Sequence, residues 1–194
     1  MKNTIIAVLL VIASVASAAA PETASVKLDF VSADVKQVLS LYESLTHLKV
    51  IRDTYVQGRT NIVVADPVTP EKAIEIIERT LFADGFAITQ VDQDTVEITG
   101  AGRSARGIGP PVITDAKALP PQERVVSFVF AFRYREAKEM QQIVGQHLSP
   151  PRAYTSFIVE PKSNTLLVTE RTSVIRRLID IVAKMDVPDW KKEP

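Results

Sequence analysis

The sequence predicts an α+β protein of two small mixed modules joined by a linker rich in glycine and proline. In short segments apolar residues alternate with polar ones, which is strand periodicity, and in longer segments they recur every three or four residues, which is helix periodicity. Residues 100–123 hold four of the seven glycines and four of the twelve prolines. Such a stretch cannot extend a helix or a ladder, so we expect it to be a flexible linker.

The first module, residues 26–99, is predicted to run strand, helix, strand, strand, helix, strand, strand. Val26, Leu28 and Phe30 alternate with charged residues and form the first strand, after which Ser32 is expected to cap a helix. Thr69 and Pro70 begin the second helix, because a hydroxyl accepts from a free amide and proline suits the first helical position. The other strands are predicted at 49–51, 61–64, 86–91 and 95–98.

The second module, residues 124–187, is predicted to run strand, helix, strand, strand, helix. Its first strand, 125–131, directs Val126, Phe128 and Phe130 inward. A helix over 137–148 follows, then strands at 154–160 and 165–169. Thr172 or Ser173 is expected to cap the last helix, and Pro188 ends it before a tail over 188–194.

The first eighteen residues are predicted to be a cleaved signal peptide. Lys2 precedes an apolar run over 5–15, and Ala16-Ser17-Ala18 is a small-x-small cleavage site. The alternative is an uncleaved membrane anchor, but a span needs about 20 apolar residues and this run is shorter. We therefore expect the mature protein to act outside the cytoplasm, in the periplasm.

Composition and charge exclude several classes of chemistry. Basic and acidic residues number 23 each and there is no cysteine, so we expect no nucleic-acid partner, disulfide, thiolate metal site or thiol nucleophile. His47 and His147 lie at predicted helix ends in separate modules, where a cation near the helix dipole is a better interpretation than a catalytic base. No cofactor, metal, small-molecule substrate or catalytic residue is predicted.

Two acidic groups are better interpreted as structural features than as binding or catalytic sites. Glu71, Glu75 and Glu78 are predicted to share the outer, solvated side of one helix, where Glu75 would pair with Arg79. The residues 92–94 (DQD) lack the remaining ligands and the glycine of a calcium loop, so they are interpreted as a hairpin turn.

Three segments of the first module carry a family resemblance. They are 30–35 (FVSADV) opening the first helix, 53–58 (DTYVQG) before the third strand, and 85–87 (GFA) after the second helix. In these segments the module resembles the N-terminal N0 domain of the secretins, the ring-forming outer-membrane channels of type II secretion and related pilus systems. Thr54 stands where the family usually has proline.

The second module is similar to the adjacent N1 repeat of the same family, which has a KH-like fold. The matching segments are 159–169 (VEPKSNTLLVT) and 185–188 (MDVP). KH modules bind RNA through a Gly-x-x-Gly loop, and neither module has one between helices, so RNA binding is not expected. Secretins continue into a channel-forming region that this sequence lacks. We therefore expect a stand-alone relative, an accessory component or a truncated gene product.

The resemblance implies a protein-docking function without catalysis. Small mixed modules leave edge strands that a partner strand can complete, and Val26, Leu28 and Phe30 form the candidate edge. An inner-membrane component of the secretion machine, or a full-length secretin, is the expected partner. N1-type modules pack side by side in rings, so a homo-oligomer is also expected. In it the last helix would present a mixed-charge strip to the next copy, formed by Arg171, Arg176, Arg177, Asp180 and Lys184. An ordinary solvated helix face is an equal interpretation of the same strip.

Two other functions remain open on the sequence alone. N0-like folds also begin TonB-dependent transducing receptors, so the chain could be a signalling domain; the second N1-like module favours the secretin interpretation. An exported hydrolase of unknown type is the other alternative. Neighbouring genes for a secretion ATPase or pseudopilins would separate these hypotheses.

Overall fold

The computed structural model describes residues 25–103, 109–148 and 150–188. Within them four helices and nine strands form an α+β fold, as the periodicities predict. The predicted signal peptide and the tail beyond Pro188 lie outside the described residues.

The first module has the predicted order of elements. It consists of β1 (Asp29–Asp34), α1 (Val35–Thr46), β2 (Lys49–Arg52), β3 (Arg59–Val63), α2 (Pro70–Ala83), β4 (Ala87–Gln90) and β5 (Thr95–Thr99). β1 pairs antiparallel with β3, while β5 lies between β2, which is parallel to it, and β4, which is antiparallel. Thr69 caps α2 through its hydroxyl, as predicted. The apolar faces of both helices and both sheets meet in one core.

The first strand lies further along the chain than the alternation predicts. Val26 makes only an isolated bridge with Val68, and β1 continues to Asp34, past a bulge in which Ser32 has a φ of 49°. Asp34, not Ser32, therefore caps α1, its carboxylate accepting from the N–H of Lys36 at 2.9 Å. The bulge breaks the two-residue period, and period counting cannot anticipate that.

The second module is one four-stranded sheet covered by two helices. It consists of β6 (Val112–Ile113), β7 (Val125–Ala131), α3 (Ala137–His147), β8 (Ser156–Glu160), β9 (Thr165–Arg171) and α4 (Thr172–Met185), with sheet order β6-β7-β9-β8. Val126, Phe128 and Phe130 are buried in its core, as predicted. The start of α4 differs: its N-cap, Arg171, makes no side-chain cap, and the Thr172 hydroxyl instead donates to the Arg124 carbonyl at 3.0 Å.

The second half of the predicted linker has regular structure. β6 pairs parallel with β7, the N–H of Ser127 donates to the Pro111 carbonyl at 2.9 Å, and a short 3₁₀ helix follows at Ala116–Ala118. Leu119 is buried in the second core. Residues 109–123 are therefore more ordered than their composition predicts. Ile113 and Leu119 pack against the second core, and β6 pairs with the edge of β7 that β9 leaves free.

The two modules touch through buried residues of the second one. Val125 of β7 and Tyr154 before β8 belong to the core of the first module, and the rings of Tyr154 and Phe82 meet edge to face with centroids 6.0 Å apart. The modules therefore join through their own side chains as well as through the linker.

In the part of the chain that the structure describes, no helix is long and apolar enough to cross a membrane.

Candidate docking surfaces

The outer edge of β1 offers unpaired backbone groups. On its inner side the N–H of Val64 donates to the Leu28 carbonyl at 2.9 Å, and the N–H of Ser32 donates to Asn61 Oδ1 at 2.7 Å. Because consecutive residues of a strand direct their backbone groups to opposite sides, Asp29 and Val31 direct theirs away from β3. No strand among the described residues pairs with β1 on that side.

A groove of about 700 Å³ runs along this edge. It is lined by all of β1, by Lys36 and Gln37 in the first turn of α1, and by Arg59 of β3. Val31 is 71% exposed, and Val63, which stands opposite Asp29 on the same face of the sheet, is 62% exposed. Unpaired amides and carbonyls beside two exposed valines are the features by which an edge strand captures another strand.

Of the three residues predicted for this edge, only Phe30 lies on β1. Val26 exchanges both backbone hydrogen bonds with Val68, at 2.7 and 3.0 Å, and Leu28 is 0% exposed in the first core. Phe30 lies on β1 but is half-buried against the same core. The candidate edge is thus displaced toward Val31, which lies on the same exposed face as Lys27 and Asp29.

The outer face of α4 holds most of the predicted charged strip. Arg176, Arg177, Asp180 and Lys184 are exposed, whereas Arg171 is half-buried at the end of β9. Arg176 donates from Nη2 to the Pro120 carbonyl at 2.5 Å, so this guanidinium is bound to the protein's own linker. The part of the strip that remains for another molecule is formed by Arg177, Asp180 and Lys184.

The loop between β7 and α3 is held by residues from both segments that carry the N1 resemblance. Asn164 donates from Nδ2 to the carbonyls of Phe132 and Arg135 at 3.0 and 2.9 Å, and its Oδ1 accepts from the N–H of Ala137 at 2.7 Å. Asn164 itself has a φ of 52°, a region that asparagine tolerates. Its amide therefore replaces the missing side-chain cap at the start of α3.

Asp186 holds the same loop from the other side. Its carboxylate accepts from three consecutive backbone N–H groups, those of Arg133, Tyr134 and Arg135, at 2.8, 2.8 and 2.9 Å. Partial burial pushes the pKa of Asp186 upward, but the three amides outweigh it and leave this pKa below the ordinary value of an aspartate. The carboxylate thus stays charged at neutral pH and ties the end of α4 to the loop.

The residues weighed for catalysis lie in structural positions. His47 is the C-cap of α1 and His147 is the last residue of α3, in separate modules. Residues 92–94 form the β4–β5 turn, in which the N–H of Asp94 donates to Asp92 Oδ1 at 3.0 Å. Glu75 pairs with Arg79 at 2.8 Å, as predicted.

Glu78 corrects the prediction for the acidic face of α2. It was expected beside Glu71 and Glu75 on the solvated side of the helix, but it is only 2% exposed. Its carboxylate meets the Arg124 guanidinium of the second module at 2.6 Å. The second module covers this turn of α2. The periodicity of α2 cannot indicate that contact, because it depends only on residues of the same helix.

Comparisons with known proteins match both modules. A family model described as "GspD-like, N0 domain" matches residues 28–98, and one described as "Bacterial type II/III secretion system short domain" matches residues 127–189. Over 166 residues the chain is 22% identical to Secretin GspD 2 of Escherichia coli, covering 85% of this chain and 24% of that protein. Over 157 residues it is 25% identical to Secretin PulD of Klebsiella pneumoniae, covering 81% of this chain and 23% of that protein.

A solved structure supports the fold of both modules together. It is the outer membrane complex of the Klebsiella pneumoniae type II secretion system, which contains PulD, PulS and the PulC HR domain. The match has a TM-score of 0.67 at 24% identity and covers 81% of this chain and 26% of that one. The chain spans about a quarter of the length of the curated relatives that it matches.

Proposed function

The chain belongs to the secretin family, in which it corresponds to the N-terminal domains of a type II secretion secretin, and we propose that it works as a periplasmic docking unit. In this proposal the outer edge of β1 captures a strand from an HR-type domain of an inner-membrane secretion component. The observation that carries it is the free edge at Asp29 and Val31 beside a groove. The presence of the PulC HR domain in the similar Klebsiella complex supports the choice of partner.

Binding at this edge follows from the chemistry of strand addition. A partner strand would satisfy the outward amides and carbonyls of Asp29 and Val31, each bond contributing about 1 kcal/mol net. It would also cover the side chain of Val31, which water now contacts. Main-chain bonds supply affinity in this mode, and the side chains lining the groove select the partner.

Proline at position 31 tests the proposal. Val31→Pro removes the amide that faces the partner, while the side chain of this residue lies outside the core. We expect the affinity of residues 19–194 for a purified PulC-type HR domain to fall at least about tenfold, or about 1.4 kcal/mol, in titration calorimetry. Val31→Thr keeps the amide and the β-branched shape, so it should bind within about twofold of the parent.

Circular dichroism checks that both variants stay folded. Equal affinities for the parent and Val31→Pro, with the fold intact, would remove the β1 edge from the proposal.

Self-association is the second part of the proposed function. The mixed charges of Arg177, Asp180 and Lys184 on α4 suit a contact with the sheet of a second copy, as in the side-by-side packing implied by the family. Sedimentation velocity of residues 19–194 should then show association that grows with concentration and weakens with salt. A strict monomer at the highest soluble concentration argues against the ring but leaves the β1 edge untouched.

No bond-making chemistry enters this proposal. The modules occur in the order of two N-terminal secretin domains, which favours a secretin over a TonB-dependent transducer. The two histidines at helix ends in separate modules do not favour a hydrolase. The periplasmic location rests on the family and on the signal peptide predicted at residues 1–18.

A further inference from the structure

A buried guanidinium joins the two modules. Arg124 opens the second module, yet its side chain is 3% exposed and points into the first. It donates from Nη1 to Glu78 Oε1 at 2.6 Å, from Nη2 to the Tyr42 hydroxyl at 3.0 Å and from Nε to Gln90 Oε1 at 3.1 Å. These acceptors lie on α2, α1 and β4, so one side chain contacts three elements of the first module.

The partners of Arg124 are themselves held in place. Glu78 also accepts from the Tyr42 hydroxyl at 2.8 Å through Oε1, and from the N–H of Glu123 at 3.0 Å through Oε2. Burial raises the pKa of Tyr42, so its hydroxyl stays protonated and able to donate. Both oxygens of the buried carboxylate therefore have partners, which is the condition under which a buried ion pair is well defined.

The backbone of Arg124 is fixed to the second module. Its N–H donates to the Thr172 hydroxyl at 3.1 Å, and its carbonyl accepts from the N–H of Thr172 at 2.9 Å. Thr172 is the first residue of α4, the helix that carries the proposed self-association surface. A continuous chain of hydrogen bonds thus runs from α1 and α2 through Arg124 to α4.

This arrangement controls orientation more than it adds stability. The desolvation of a buried ion pair largely offsets its attraction, so such pairs contribute little net free energy. The guanidinium is planar, however, and donates in fixed directions, so its acceptors are satisfied in only one relative placement of the modules. The neighbouring apolar contact between Tyr154 and Phe82 tolerates small shifts, since dispersion has no comparable directionality.

We propose that Arg124 is a positioning residue that locks the two modules at one angle. The β1 edge and the α4 surface then form a single rigid docking unit. This inference rests on the proposed function for the meaning of the two surfaces, but the lock itself is independent of any partner. A strand captured at β1 would fix the direction in which α4 faces a second copy.

A distance measurement tests the lock. The chain has no cysteine, so Lys36→Cys and Lys138→Cys, both exposed helix positions, can carry spin labels one in each module. Double electron–electron resonance should give one narrow distance distribution for the parent. Arg124→Lys keeps the charge but loses the planar set of donors, and we expect the distribution to become at least twice as wide.

Two further variants complete the design. Arg79→Lys makes the same exchange on the exposed face of α2, where Arg79 pairs with Glu75, and should leave the distribution unchanged. Tyr42→Phe removes one acceptor of the guanidinium and retains the ring, so it should widen the distribution even if Arg124→Lys fails to fold. A broad distribution in the parent, or an unchanged one in a folded Arg124→Lys or Tyr42→Phe variant, would overturn the lock.

The same substitutions in the unlabelled chain, without a cysteine at Lys36, separate the lock from the proposed function. The HR domain should bind Arg124→Lys as it binds the parent, because the β1 edge does not contact the junction. If Val31→Pro weakens binding and Arg124→Lys leaves the distances unchanged, docking stands and the lock fails. If Val31→Pro binds normally and Arg124→Lys widens the distances, the lock stands and the docking proposal fails.

Discussion

The strands that open the two modules have opposite surroundings. β1 is paired on one side only and runs beside a groove, with Val31 exposed. β7 is paired on both sides, by β9 and by β6 from the linker, and the loop after it is held by Asn164 and Asp186. Proteins usually cover an edge that serves no purpose, because an open edge invites unwanted pairing. The contrast favours β1 as the place where a partner strand adds.

Asn164→Ala should break this contrast most strongly, by freeing the loop after β7. It removes three hydrogen bonds worth about 1 kcal/mol each and places alanine at a φ of 52°, which costs about 1 kcal/mol more. We expect the free energy of unfolding to fall by about 4 kcal/mol in urea titrations followed by circular dichroism.

Asn164→Gly is the matched control for the backbone. Glycine adopts a positive φ without strain, so this variant should lose only about 3 kcal/mol. If both variants unfold within about 1 kcal/mol of the parent, the amide of Asn164 does not hold the loop.

Acid should release the other side of the loop with a smaller effect. The pKa of Asp186 lies below its usual value in the folded state, so its contribution is complete above the unfolded pKa of about 3.9 and is lost as the pH falls through the folded pKa. In urea titrations the parent should exceed Asp186→Asn in stability at pH 6, and the difference should shrink toward zero by about pH 2. A difference that stays constant between these pH values contradicts the role of the charge.

Much of the fold could be predicted because local patterns are dense in this sequence. Strand β7 and the start of α2 were placed to the residue, since β7 is a run of mostly apolar residues that begins directly after Arg124, and Thr69-Pro70 begins a helix by its own chemistry. The element order of the first module was predicted correctly for the same reason, and that of the second was correct except for β6, which forms from the predicted linker.

The candidate site was harder to predict because it depends on which distant segments pair. Leu28 was predicted at the edge and lies in the core, because the alternation shows which side chains are buried and not which edge of the sheet stays unpaired. Glu78 was predicted on the solvated face of α2 but lies in a buried ion pair. The prediction failed because its partner Arg124 is 46 residues away in the chain. Neither position differs from an ordinary strand or helix residue when only its neighbours in the chain are considered.

The sequence by itself determined the α+β class, the two modules in order and the family, because these depend on short-range periodicity, capping and turn chemistry. The tertiary structure alone decided which edge stays open, that residues 109–123 cover β7, and that Arg124 joins the modules. These features depend on contacts between residues far apart in the chain. Such contacts form only when two surfaces meet, and no periodicity in either segment indicates them.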